Sequence, residues 1–448
     1  MKILFVTLSL ILTTFCQSQS WNYLGNAGFS GSTANYLSLA IDLQSDKIFV
    51  AYQDFGDEGK LNISFFDNTS SEWININNDN DLSSGYANHN SISIDANGNP
   101  YYSFIDGDNN VLGFGYLKSN GNWVANNPTN GGSSVSGHSI NSITKQDYDG
   151  DVFVCSYHSS WNIVVYRASA VTSNFSIYNS FPGDRNISSL SFDMKYNSGY
   201  IAFSNLDDEG RIDIIKIDGG SMSVLETYDN VSDGLSNYID LEINPLTLLP
   251  YIAFQDIANG GGVTVKKLNG DNWELVGEEV FSGGLSNYID LAFDVNGVPY
   301  VAFQDVSFSN KLSVMTYNGT TWEYVGERGV SPASASHCSI ELNSDGEIFL
   351  AFKDGSASNQ ASVLRYGATL SIDNNDLNSY VLSPNPANDK LTIDGVSDYD
   401  AKIYNDLGQF IMKTSNTNTI DVSTLSKGIY FIKVSDGINS SIKKFIKN

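Results

Sequence analysis

Cysteine is almost missing from this chain: three in 448 residues, at positions 16, 155 and 338. If Cys16 leaves with a leader segment, Cys155 and Cys338 sit in segments that are not neighbours. No disulfide framework is on offer, so stability has to come from core burial. Arginine is scarce too. Arg167, Arg185, Arg211, Arg328 and Arg365 are scattered along the chain, which removes the arginine cluster that a carboxylate-clamping enzyme such as a sialidase needs. Positive charge is short overall, with 24 Lys and Arg against 50 Asp and Glu and a net charge of −26. The last 80 residues hold eight lysines and nine aspartates and the leader holds Lys2, so 15 basic and 41 acidic residues remain in between. Such a surface repels nucleic acid and anionic membranes, and it suits solubility or cationic partners. No glycine-rich phosphate loop, zinc-type Cys/His spacing or nucleophile elbow is present.

Long apolar runs are missing as well. The one apolar stretch, Ile3 to Phe15, is too short to be a stable membrane anchor. Preceded by Lys2 and followed by small polar residues, it reads as a secretory signal peptide over residues 1–18. Lipidation of Cys16 is opposed by the bulky Phe15 before it.

Repetition is what the chain has in abundance. Gly234-Leu-Ser-Asn-Tyr-Ile-Asp-Leu241 recurs letter for letter from Gly284 to Leu291, and Pro250-Tyr-Ile-Ala-Phe-Gln-Asp256 returns nearly unchanged from Pro299 to Asp305. A fixed period of about fifty residues is the mark of a propeller or solenoid. The two-part signature is traced seven times between residues 19 and 368, with first strands opening at Tyr36, His89, His138, Ile187, Tyr238, Tyr288 and His337. Period-two alternation and Asn-Gly turns before a Trp, as at Asn318-Gly-Thr-Thr-Trp322, predict four strands per unit. The expectation is an all-β chain whose main part is a seven-bladed β-propeller of sialidase-like or kelch-like length, although the kelch and WD40 signatures are lacking. The seventh unit has no Trp strand of its own. Trp21 stands 15 residues before Tyr36, as Trp273 does before Tyr288, so the mature N-terminus is expected to complete the last blade.

After a short Asn/Asp linker (369–378) the composition changes. Ser383-Pro-Asn-Pro-Ala-Asn-Asp-Lys-Leu391, Lys402-Ile-Tyr-Asn-Asp-Leu-Gly-Gln409, Leu425-Ser-Lys-Gly-Ile-Tyr-Phe-Ile-Lys-Val434 and Lys443-Lys-Phe-Ile-Lys447 read as short strands with Pro, Asn and Gly turns, enough for a small Ig-like β-sandwich. In this order, at the end of the chain, they resemble the type A C-terminal sorting domain of the type IX secretion system of Bacteroidota. The resemblance covers residues 379–448. It implies partners in the type IX translocon and a sortase-like protease, and a cargo left on the cell surface or released. It says where the cargo goes, not what it does.

Candidate site residues come from the repeat. In a propeller, the residues entering the innermost strand line the mouth of the axial channel. Tyr36, His89, His138, Tyr238, Tyr288 and His337 share that position, and three of the four histidines occupy it. Asn237 and Asn287 precede two of the tyrosines. Amphipathic rings there form either a structural collar or a sugar-binding one; His89, His138 and His337 could also share a metal. Strand alternation places Asp240, Glu242, Asp290 and Glu341 on the same face, which suggests Ca²⁺ as a cofactor or an acid/base pair. The function read from this pattern is a secreted or surface binding protein for a glycan or protein ligand. The alternative is a polysaccharide-acting glycosidase or lyase.

Overall fold

The structure is a computed structural model. It describes residues 20–77, 81–95, 97–108, 111–118, 120–126, 141–145, 152–158, 162–168, 175–182, 186–196, 198–221, 223–367, 381–394, 399–405, 410–415, 419–435 and 440–448. The signal segment 1–18, the linker 369–378 and His138 lie outside these. Two compact units divide at Gly367 and Ala368. Among the described residues, both are built from β-strands, with only single 3₁₀ turns between them.

Among the described residues, the first unit shows seven four-stranded antiparallel sheets, numbered here in chain order. Their inner strands are Ala34–Asp42, Ala87–Ile94, Asn141–Lys145, Ile187–Lys195, Ser236–Ile243, Ser286–Phe293 and Ala335–Leu342. Each inner strand lies beside that of the next sheet, and Ala335–Leu342 lies beside Ala34–Asp42. The unit is therefore propeller-like. In sheet seven the outermost strand is Ser20–Tyr23, paired with Gln360–Gly367 so that Trp21 faces Tyr366.

Burial follows from the two-residue period. In sheet five, Ile239, Leu241 and Ile243 turn toward sheet four, where they pack with Ile212 and Tyr200. The alternate residues Tyr238, Asp240 and Glu242 are left on the opposite face. Second strands are buried on both sides: Ile252 and Phe254 belong to the core between sheets four and five, and Ala253 to the core between five and six. The hydrophobic core is thus a series of slabs between sheets.

Slabs alone leave a problem. The inner strand of each sheet has a free edge, whose amides need partners once they are buried. The structure meets this with side chains. Ser38 Oγ accepts from Ile92 N (3.1 Å), Ser191 Oγ from Leu241 N (3.0 Å) and Asp240 Oδ2 from Leu291 N (2.7 Å). Asp290 Oδ2 accepts from Ile340 N (2.5 Å), and Ser339 Oγ from Leu39 N (3.1 Å). In sheets one, four, five, six and seven a short polar side chain thus clasps the next sheet. The repeated Trp does the same at the rim of the unit: Trp73, Trp123, Trp322 and Trp21 donate through Nε1 to the carbonyls of Leu24, Ile76, Val276 and Val325 in the preceding sheet.

The second unit has a three-stranded sheet (Val381–Ser383, Lys390–Asp394, Thr419–Asp421) and a four-stranded one (Asp400–Asn405, Phe410–Ser415, Gly428–Ser435, Ser440–Lys447). Leu391, Ile393, Ile403, Ile420, Ile432 and Phe445 form its core.

The inner clasp can be tested where sheet seven meets sheet one. Ser339→Ala removes the acceptor of Leu39 N and should lower stability by about 1–2 kcal/mol, the cost of an unmade buried hydrogen bond. The midpoint of chemical denaturation reads this directly. An unchanged midpoint would mean that the amide finds another partner.

Candidate functional site

Each inner strand, where described in full, carries an irregularity near its start. Register slips between Asn35 and Ser38, Asn88 and Ser91, Asn237 and Asp240, Asn287 and Asp290, and Ser336 and Ser339. At these bulges Tyr36, His89, Tyr238, Tyr288 and His337 all adopt left-handed backbone, with φ of 48°, 51°, 47°, 49° and 51°. A bulge re-aims a side chain. Non-glycine residues in this region each cost on the order of 1 kcal/mol, a strain kept only where surroundings enforce it.

The five rings form one continuous arc. Centroids lie 5.2 Å apart for Tyr238 and Tyr288, 4.7 Å for Tyr288 and His337, 5.3 Å for His337 and Tyr36, and 4.9 Å for Tyr36 and His89. Tyr238, at one end, is the most open, 37% exposed. Burial lowers the pKa of His89. Burial first, then Lys353 and His89, bring His337 down to about 4. Both imidazoles are neutral at physiological pH, so the arc is an uncharged surface.

Sheet four breaks the pattern, and differs from the sequence reading. Ile187 pairs with Asn205 as Ala34 pairs with Asp54, and Ser191 with Ala202 as Ser38 with Ala51. Ile187 therefore stands two residues before the ring position, which Ser189 fills. The same offset hid Asp193, matched by sequence to Asp42 at the strand end. Asp193 is instead equivalent to Glu242 and Glu341, and its Oδ2 accepts from Ile243 N at 2.8 Å.

The asparagines before the rings are held in a relay between sheets. Asn237 Nδ2 donates to Gln255 Oε1 (3.1 Å), Gln255 Nε2 to Asn287 Oδ1 (2.9 Å), and Asn287 Nδ2 to Gln304 Oε1 (3.0 Å). Lys353 Nζ, Asn35, Gln53 and Asn88 make a second run of the same kind. The sequence shows the Asn but not its distant Gln partner.

Under the arc lies a cavity of about 240 Å³, lined by Ser38, Ser91, Ser191 and Ser339 together with Asp240, Glu242, Asp290 and Glu341. All four predicted carboxylates reach it. Asp240 and Asp290 each spend an oxygen on the neighbouring strand, as described above. Among the described residues no three His, Cys, Asp or Glu side chains are arranged to hold a metal ion. Desolvation raises every one of these carboxyls: Asp240 to about 6, Glu341 to about 7, and Glu242 and Asp290 well above their ordinary values. Neighbouring carboxylates add to the shift in Asp240, Glu242 and Asp290.

Comparison with known proteins bears on both units. Residues 381–448 match the family described as secretion system C-terminal sorting domain, which marks the chain for export by the type IX system. No curated protein matches the chain. Among solved structures, it is similar to the extracellular domain of a protein described as a hybrid two-component system from B. thetaiotaomicron, with a TM-score of 0.50 and 11% identity. That likeness covers 96% of this chain and 57% of the other, so this chain spans just over half of that domain. A chain of a mitotic checkpoint complex is similar at TM-score 0.50 and 11% identity, over 82% of this chain and 98% of that one. Looser is the likeness to the Aleuria aurantia lectin solved with Fucα1-6GlcNAc: TM-score 0.43, 14% identity, 64% and 94% coverage. At such identity the two likenesses at TM-score 0.50 speak to fold alone, here an all-β, propeller-like one.

The raised carboxyls carry a pH signature. A group whose folded pKa exceeds its unfolded value adds stability that is complete below the unfolded pKa and lost as pH rises through the folded one. For Asp240 and Glu341 this places the loss between roughly pH 4 and pH 7. The melting temperature should fall from pH 5 to pH 8, and Glu341→Gln should flatten that fall. A melting temperature that rises over this range would contradict it.

Proposed function

We propose that this chain is an exported binding protein whose first unit is a closed seven-bladed β-propeller (19–368) that takes a neutral glycan on its arc of rings. Residues 1–18 act as the signal peptide and 369–378 as linker. Residues 379–448 form an Ig-like sorting domain that engages the type IX translocon and a sortase-like protease, leaving the cargo on the cell surface or in the medium.

The observation that carries this reading is the unbroken run Tyr238, Tyr288, His337, Tyr36, His89, ring against ring at 4.7–5.3 Å. Such rings present an apolar body with a polar tip, the complement of a sugar face with its C–H surface and hydroxyl edge. Its neutrality suits an uncharged saccharide. The hydrolase alternative is narrowed to Glu242 and Glu341 as candidate acid and base, because Asp240 and Asp290 each spend an oxygen on a backbone amide. A general acid or base needs those lone pairs for substrate.

A glycan array followed by titration of the best saccharide tests this. The double variant Tyr238→Ala/Tyr288→Ala should bind at least about tenfold more weakly, with its melting temperature close to that of the parent. Full affinity in a folded double variant would remove the arc from the account.

A further inference from the structure

The opposite end of the channel carries a second surface. There, turns join each inner strand to its neighbour. Turns favour Gly, Asn, Asp and Ser, and Asn97-Gly98 in sheet two and Asp345-Gly346 in sheet seven conform. Sheets one, five and six add open aliphatic residues to their turns, in sheet six next to its own Asn296-Gly297. Leu43 is 58% exposed, Leu246 67%, Leu248 45% and Val295 55%. Aliphatic groups this open, gathered at one end of a fold, mark a contact surface.

The three turns that carry them reach one opening. Leu43, Val295 and Pro245, which immediately precedes Leu246, line a cavity of about 340 Å³. That is within the size of ligand clefts, roughly 300–1,000 Å³. Deeper in the same cavity are Asp193, Lys195, Glu242 and Glu341. Lys195 Nζ donates to Ile243 O at 3.1 Å. Glu242 and Glu341 make no hydrogen bond among the described residues, and burial raises both. One ammonium among four lining carboxyls, Asp294 included, leaves room for another cation, which would offset the desolvation that raises Glu242 and Glu341.

An aliphatic rim over an acidic floor selects its occupant. A glycan would want an array of flat rings, and beside Tyr196 and Phe293 the open groups at this end are the aliphatic Leu43, Leu246, Leu248 and Val295. An anionic membrane is repelled by a chain of net charge −26. A second copy of the same acidic face would be repelled as well. We propose that this end of the channel docks a protein segment that inserts one lysine or arginine side chain, flanked by aliphatic residues, into the cavity between Leu43 and Val295. The rim would take the flanking residues, and Glu242 and Glu341 the cation.

The test uses the full chain and two fluorescein-labelled pentapeptides, with a lysine or a glutamine between two leucines, followed by fluorescence anisotropy. The lysine peptide should bind at least about tenfold tighter, Glu341→Gln should level the two, and Leu246→Ser/Val295→Ser should weaken both. The best saccharide from the array should not compete. Should Glu341→Gln fail to fold, the exposed turn variant carries the test alone. Equal binding of the two peptides, no binding up to millimolar peptide, or binding instead to phosphatidylserine vesicles would overturn the proposal.

Discussion

An inner strand with no partner on its free side is the constraint from which the rest of this structure follows. Seven sheets can stack their apolar faces without any polar contact, but the innermost amides would then be buried and unpaired. Each unmade bond costs about 1–3 kcal/mol, and the cost recurs in every sheet. The clasp from Ser38, Ser191, Asp240, Asp290 and Ser339 removes it. Only a short acceptor fits, because the inner strands crowd together. Hence the channel is lined with Ser and Asp instead of aliphatic residues, and hence it is polar.

That choice fixes what lies above and below. Two residues before the clasps at Ser38, Asp240, Asp290 and Ser339 the strand bulges into left-handed backbone and turns a Tyr or His ring outward over the channel, while Ser189 stands before Ser191. Two residues after each clasp comes a position free of clasp duty in most sheets, and there Glu242 and Glu341 stand without hydrogen bonds among the described residues. A structural ring in the middle of each strand thus separates an uncharged aromatic end from an acidic end rimmed by aliphatic turns. The two ends share strands but differ in chemistry, so they are suited to different ligands.

Much of this was legible in the sequence because a repeat displays one solution many times. The period gave the sheets, the Trp21 spacing gave the strand that completes sheet seven, and alternation put Tyr238, Asp240 and Glu242 on one face. The terminal motifs identified the sorting segment, whose family match spans 381–448. Other features were hidden for physical reasons. Left-handed backbone at a tyrosine has no composition signal. The Gln255 partner of Asn287 is 32 residues away. Sheet four was read two residues out of register, because Asp193 imitates the aspartate that ends Tyr36-Leu-Ser-Leu-Ala-Ile-Asp42; pairing of Ser191 with Ala202, not letters, settles it. The aliphatic turns were overlooked because single exposed leucines are ordinary. Only their gathering around one opening gives them meaning.

The most direct measurement is a crystal structure of the full chain with the best saccharide from an array bound. The account predicts a sugar ring lying against Tyr238 and Tyr288 at the mouth of the channel, with the Ser and Asp clasps intact beneath it. A sugar held in a cleft between two neighbouring sheets, with the arc of rings empty, would contradict it.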